Sequence, residues 1–94
     1  MGLFTAEELE KFSIKFLCGL YRNAGGNLDQ SLNSINIYFN TVSTGAYERP
    51  SYAYEAARAL VLELKRKGLV ETWNLDQEVR LTSEGLVKCR EICR

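Results

Sequence analysis

The residues most able to bind another molecule lie around Pro50, the only proline of the chain. Arginine can donate two hydrogen bonds to a guanine, and lysine, serine and tyrosine can contact phosphate groups. From residue 47 to residue 68 there are five basic and three acidic residues, a local excess of positive charge in a chain of zero formal net charge. The polar side chains that a charged partner could contact here are Arg49, Ser51, Tyr52, Tyr54, Glu55, Arg58 and Lys65, with Arg80 farther along the chain.

Two other interpretations fit the same segment. A solvated amphipathic helix with ordinary surface charges would show similar residues. A surface for another protein would also be rich in aromatic side chains, here Tyr47, Tyr52 and Tyr54, with Leu62 and Trp73 exposed nearby. The zero net charge favours this protein-binding alternative over DNA binding.

Catalysis and metal binding find little support in the residue types. The chain has no histidine, which is the commonest general base and metal ligand, and it has no phosphate-binding glycine loop. Cys89 and Cys93 are four residues apart on a predicted helix, and Cys18 is on another. We expect reduced thiols without a special role; a three-thiolate metal or redox site, or a disulfide between subunits, is the alternative. No enzyme activity and no cofactor are predicted.

Length and composition predict a single domain over residues 1–94. The chain of 94 residues is 46% hydrophobic and 26% charged, as in an ordinary globular domain. No apolar stretch approaches the length of about 18 residues that a membrane helix needs, and the N-terminus lacks the pattern of a secretory signal. We therefore expect a soluble cytoplasmic protein without a membrane partner.

The first two helices are predicted from their capping residues and spacing. Thr5 and Glu8 have the spacing of a capping box, so a helix should begin at Ala6 and end at the glycine pair 25–26. Asn27 resembles the N-cap of a second helix, whose apolar residues would be Leu28, Leu32, Ile35 and Phe39. The alternation at positions 35, 37 and 39 also fits a strand. Residues 40–49 are predicted to form a loop.

A third helix is expected from Pro50 or Ser51 to Lys67, followed by a hairpin and a closing helix. The inner side of the third helix should be Ala53, Ala56, Ala57, Leu60 and Leu64. Strands at 69–75 and 78–81, joined by a turn at 76–77, would place Thr72 opposite Leu81 and Trp73 opposite Arg80. Trp73 and Arg80 would then form a cation–π pair. Thr82 is the predicted cap of the last helix, which has Leu86, Val87 and Ile92 as apolar positions.

The stretches A-L-V-L-E-L-K-R-K-G-L-V-E at 59–71 and V-R-L-T-S-E-G at 79–85 carry a resemblance to known proteins. They are similar to the recognition-helix end, wing and exit of small prokaryotic and archaeal transcription regulators, including those of archaeal viruses. The resemblance implies an α+β winged helix-turn-helix fold with a three-helix core, a two-stranded β wing and a C-terminal helix. It also implies sequence-specific binding of double-stranded DNA, with the third helix in the major groove. On this interpretation the DNA-contacting residues are Arg49, Ser51, Tyr52, Tyr54, Glu55, Arg58, Lys65 and Arg80.

Two features depart from that pattern, and a third suggests a dimer. The linker at 40–49 is longer than an ordinary helix-turn-helix turn, and Asp76 and Glu78 at the wing would repel phosphate. The first and last helices have more apolar residues than one small core can cover. We therefore expect a homodimer that reads half-sites about 34 Å apart, with an interface formed by Phe12, Phe16, Leu86 and Ile92.

Overall fold

The computed structural model of the protein describes residues 3–43 and 49–93. Within these residues it contains α1 (Ala6–Ala24), β1 (Leu32–Asn33), α2 (Ser34–Thr41), α3 (Pro50–Arg66), β2 (Val70–Trp73), β3 (Glu78–Leu81) and α4 (Ser83–Ile92). The strands form one antiparallel sheet in the order β1-β3-β2. The α+β class is confirmed, but the described sheet has three strands where two were predicted. None of the described helices combines the length and the apolar character needed to cross a membrane.

Helix α3 is the centre of the hydrophobic core. Its inner side consists of Ala53, Ala56, Ala57, Leu60, Val61 and Leu64, each at most 2% exposed. Because alanine side chains are small, α1 and α2 can approach this side closely, and the aromatic ring of Phe16 and the side chains of Leu17 and Leu20 fill the space from α1. The predicted inner side of the third helix is confirmed.

The ends of α1 agree with the capping signals. The Glu8 backbone N–H donates to Thr5 Oγ1 at 3.1 Å, and the Thr5 backbone N–H donates to the Glu8 carboxylate at 2.9 Å. Gly25 ends the helix with φ of 63°, a left-handed conformation that glycine adopts without a steric cost. Local hydrogen bonds therefore determine both ends of this helix.

The second helix begins later than predicted. Asn33, not Asn27, caps α2, because its side-chain oxygen accepts hydrogen bonds from the N–H groups of Ile35 and Asn36 at 3.0 and 3.1 Å. Residues Leu32–Asn33 instead form β1, which pairs with β3. This pairing with a distant strand overrides the helical spacing that begins at position 28. The helix extends to Thr41, two residues into the predicted loop, and positions 44–48, including Tyr47, lie outside the described residues.

The hairpin has a longer turn than predicted, so its register is shifted by two residues. Thr72 pairs with Val79 rather than with Leu81, and Trp73 pairs with Glu78. Residues 74–76 all have positive φ, between 51° and 67°, and the turn occupies 74–77. A shift of two preserves the face of every side chain. The side of the hairpin that faces the core therefore carries Val70, Val79 and Leu81, which are buried, and Thr72, which is half-buried.

Helix α4 packs against the rest of the protein through small residues. Thr82 is its N-cap, as predicted, because its hydroxyl accepts a hydrogen bond from the Gly85 N–H at 3.0 Å. A Cβ at Gly85 would overlap the carbonyl oxygen of Leu69, so only glycine permits this close approach. Val87 and Ile92, predicted as apolar positions of this helix, are 55% and 38% exposed.

A disulfide between Cys18 and Cys93 joins α1 to the residue that follows α4, with the two Cα atoms 5.3 Å apart. The expectation of reduced thiols without a role is therefore wrong for these two residues. A three-thiolate metal site is also excluded in this state, because two of the three sulfurs are bonded to each other. Cys89 is a free, fully buried thiol, and its burial raises its pKa to about 11.

Removal of this disulfide should destabilise the protein strongly. Because the linked residues are 75 positions apart, the bond restricts a long loop of the unfolded chain, an effect worth about 4 kcal/mol. The double variant Cys18→Ala/Cys93→Ala should lose about this much free energy of unfolding, measured by denaturant titration. A reductant should destabilise the wild type and leave the variant unchanged. Three titratable thiols in the unfolded, unreduced protein would contradict the linkage.

Candidate nucleic-acid interface

The predicted DNA-contacting residues of the third helix lie on the side of α3 opposite the core. Arg49 is at the N-cap, and its side chain makes no capping hydrogen bond. Ser51, Tyr52, Glu55, Arg58 and Lys65 are exposed, whereas Tyr54 is half-buried. The structure thus leaves all but one of these α3 side chains accessible to a ligand.

Two of these cations share one carboxylate at the hairpin turn. Arg58 Nε is 3.4 Å and Lys65 Nζ is 3.7 Å from the carboxylate of Asp76. The Asp76 side chain is 12% exposed, whereas those of Arg58 and Lys65 are about half exposed, at 51% and 52%. Both cations therefore balance Asp76 while most of their donor groups still face solvent, and the cluster keeps a net positive charge.

The pKa of Asp76 is lowered below its ordinary value. The main cause is the hydroxyl of Thr72, which donates to Asp76 Oδ1 at 2.7 Å. Lys65 and Arg58 lower the pKa further by their positive charge, and partial burial opposes these effects. Asp76 is therefore ionised at neutral pH and is held by groups from both β2 and α3.

The hairpin turn is also attached to α2, through Ser34. The hydroxyl of this buried serine donates to the backbone oxygen of Asp76 at 3.0 Å, and its backbone N–H donates to the oxygen of Gln77 at 2.7 Å. Glu78, the other predicted acidic residue of the wing, accepts hydrogen bonds from Asn74 and Ser31. The turn is therefore held against α2 and α3, and the acidic groups that were expected to repel phosphate both have hydrogen-bonding partners.

Arg80 lies on the outer face of the sheet, and no ion pair connects it with the cluster of Arg58, Lys65 and Asp76. It pairs with Glu71 at 2.9 Å, and its guanidinium is 4.7 Å from the centre of the Trp73 ring. The predicted cation–π contact is confirmed, although the shifted register makes the two residues diagonal neighbours instead of direct partners. The guanidinium of Arg80 thus already contacts Glu71 and Trp73 within the sheet.

The predicted dimer residues differ in how much surface they offer. Phe16 is completely buried in the core, so its assignment to an interface is wrong. Phe12 is half-buried and packs edge-to-face on Phe4 at 5.5 Å between ring centroids, and Leu86 is half-buried. Ile92 remains 38% exposed. The helical spacing placed Phe16 on the apolar side of the first helix. It did not show how completely the other elements would cover that side chain.

The cluster around Asp76 was not predicted, because its partners come from different elements. Arg58 and Asp76 are 18 residues apart, and nothing in the local sequence pairs them. The one available signal was that Arg58 and Lys65 are separated by two helical turns and so share a side of α3. Only the position of the hairpin turn brings a carboxylate between them.

Substitution of Asp76 should weaken the pH dependence of stability in acid. Because the pKa of Asp76 is lower in the folded state than its unfolded value of about 3.9, the ionised group stabilises the fold above about pH 4. This contribution is lost as the pH falls through the lower folded-state pKa. Asp76→Asn should lose about 1 kcal/mol or less at pH 7, since both cations are half exposed, and progressively less as the pH falls below about 4.

Urea titrations at several pH values measure this effect. Glu55→Gln is the matched control, because Glu55 is exposed and forms no ion pair with a described residue. Equal losses at pH 7 and pH 2 for Asp76→Asn would show that the carboxylate charge has no part in holding the turn.

Comparison of the chain with protein-family models, with curated proteins and with solved structures finds no match.

Proposed function

We propose that the protein is a small transcription regulator with a winged helix-turn-helix fold that binds double-stranded DNA sequence-specifically through α3. The observation that carries the proposal is the placement of α3, which is buried along its alanine-rich side and exposes Ser51, Tyr52, Glu55 and Arg58 along the other. The element order, with β1 paired beside β3, is compatible with such a fold. A helix held in this way can enter the major groove with its N-terminal half.

The charge distribution at this end of α3 supports contact with phosphate. Arg49 forms no ion pair with a described residue, and the first turn of the helix contains no acidic residue. The free N–H groups of a helix N-terminus favour anions. Farther along the same side, Arg58 and Lys65, the latter in the last turn, are matched in charge by Glu55 and Asp76. Together with Arg49, these residues have a net charge of plus one. A locally positive surface therefore exists in a protein without net charge.

A homodimer would place two such helices on one duplex. The apolar residues of α1 and α4 that remain exposed are Ile14, Val87 and Ile92, at 37%, 55% and 38%. Ile14 and Ile92 border one groove between the two helices, together with Leu69. We propose this surface as the dimer interface, in place of the set that included Phe16.

A protein-binding adaptor on the same fold is the second candidate. Leu75 at the hairpin turn is 78% exposed, and Trp73 and Leu62 are each 42% exposed. These apolar side chains suit a protein partner. In addition, Arg58 and Lys65 already have an acidic partner within the chain. The two candidates differ in their dependence on salt, since phosphate contacts weaken steeply as salt increases.

A titration against duplex DNA at several salt concentrations tests the proposal. We expect binding that weakens as salt increases, and Arg49→Ala should lower the slope of log affinity against log salt by about 1. Arg58→Ala should weaken binding and reduce discrimination between sequences. Asp76→Asn should strengthen binding, because it removes the negative charge that Arg58 and Lys65 now balance.

Arg90→Ala is the control for the loss of one positive charge, because Arg90 is exposed on α4. Its salt dependence should equal that of the wild type. Absence of duplex binding at ~50 mM salt, where phosphate contacts are strong, would eliminate the DNA proposal and leave the adaptor.

The dimer is tested separately by sedimentation equilibrium. The wild type should show twice the chain mass of 10.7 kDa, and Val87→Glu or Ile14→Glu should shift it to the monomer, because a buried unpaired charge opposes association. Leu62→Glu makes the same change on α3 and should leave the dimer intact. A wild-type mass of one chain at every concentration would refute the interface.

A further inference from the structure

A cleft of about 360 Å³ lies between the end of α1, β1 and α2. Its apolar wall is formed by Leu32, Ile37 and Phe39, and the rest of its lining consists of four asparagines: Asn23, Asn33, Asn36 and Asn40. None of these lining residues is ionisable, although 26% of the residues in the chain are charged. Its volume is within the range of small-molecule sites. The lining therefore favours an uncharged ligand.

The four amides offer a defined set of hydrogen-bonding groups. Asn23 donates its NH₂ to the Gly19 carbonyl at 2.7 Å, so its own side-chain oxygen remains as an acceptor. The oxygen of Asn33 is used in capping α2, so its NH₂ remains as a donor. Asn36 and Asn40 form no side-chain hydrogen bond with a described residue, and each retains a donor and an acceptor. A ligand that satisfies this cleft must carry both donors and acceptors.

Phe39 provides a flat apolar surface at the same place. Its side chain is 47% exposed, although it is one of the largest apolar residues of α2. The ring is held edge-to-face against Tyr38, with 5.7 Å between ring centroids, and Tyr38 itself is buried. An exposed ring with a fixed neighbour is suited to stacking on a flat ligand.

We propose that this cleft binds a purine base with the hydrogen-bonding edge of adenine. An asparagine amide can accept from the N6 amino group and donate to N7 of adenine at the same time, and Asn36 and Asn40 both have the free groups for this. Phe39 stacks on the base. The lack of cations in the lining places any phosphate outside the cleft, so the base belongs either to a nucleoside or to an unpaired nucleotide of a single strand.

This site is independent of the proposed contact between α3 and duplex DNA. It requires no dimer and uses none of the cations of α3. Failure of duplex binding would leave it unaffected, and failure of purine binding would leave the α3 proposal unaffected.

A titration of the intact, disulfide-bonded protein with adenosine, followed by amide NMR, tests the site. The side-chain NH₂ signals of Asn36 and Asn40 should shift, with a dissociation constant on the order of 0.1–1 mM for a ligand of this size. Purine riboside, which lacks the amino group, and 7-deazaadenosine, which lacks N7, should each bind about tenfold more weakly. A titration with oligo(dA) shows whether the base belongs to a nucleoside or to a single strand. Binding of oligo(dA) that is tighter than that of adenosine at both low and high salt indicates a single strand. Equal binding of the two indicates a nucleoside.

Substitutions separate stacking from recognition of the edge. Phe39→Leu retains an apolar side chain but removes the flat ring, and should weaken adenosine binding about tenfold. Asn36→Asp or Asn40→Asp removes the donor to N7 with little change of shape, and at least one should have a similar effect. Asn27→Asp is the matched control. Its side-chain oxygen accepts from the Asp29 N–H and lies outside the cleft lining, so binding should be unchanged.

Two results would overturn the proposal. One is the absence of shifts at these amides with adenosine and with oligo(dA) at millimolar base concentration. The other is binding that Phe39→Leu and both aspartate variants leave unchanged while their melting temperatures equal that of the wild type.

Discussion

The burial of one side of α3 is the constraint on which the rest of the structure depends. Its alanines permit α1 and α2 to lie close to the helix axis, and Leu60, Val61 and Leu64 extend the same surface towards the sheet. Because one side is completely enclosed, the polar side chains on the other must face solvent or the hairpin turn. The candidate DNA-binding surface is thus a direct consequence of how the core is packed.

The hairpin turn links this surface to the other elements. Ser34 attaches it to α2, and Asp76 attaches it to α3 through Arg58 and Lys65. An acidic residue that would oppose phosphate in isolation is here placed between two cations. The disulfide from Cys18 to Cys93 fixes the end of α4 on α1. The contacts of the hairpin turn and the disulfide both connect segments that are distant in sequence.

The sequence-based predictions were correct where the structure depends on contacts between residues close in sequence, and wrong where it depends on contacts between distant segments. The N-caps at Thr5 and Thr82 and the inner side of α3 were correct, because capping and helical spacing depend on neighbours within a few residues. The start of α2 was wrong because Leu32 and Asn33 pair with β3. The hairpin register was wrong because the turn extends over 74–77 and is stabilised by Ser34, which is far away in sequence.

The candidate sites divide in the same way. The sequence by itself determined which residues of α3 face outward and that a basic excess lies there, since a helix with one apolar side has only one possible outer side. Only the tertiary structure decided that Asp76 lies between Arg58 and Lys65, that Phe16 is enclosed, that Cys18 meets Cys93 and that four asparagines line one cleft. The physical reason is that these contacts join different elements, whose relative positions depend on the packing of the whole core and not on any local pattern of residues.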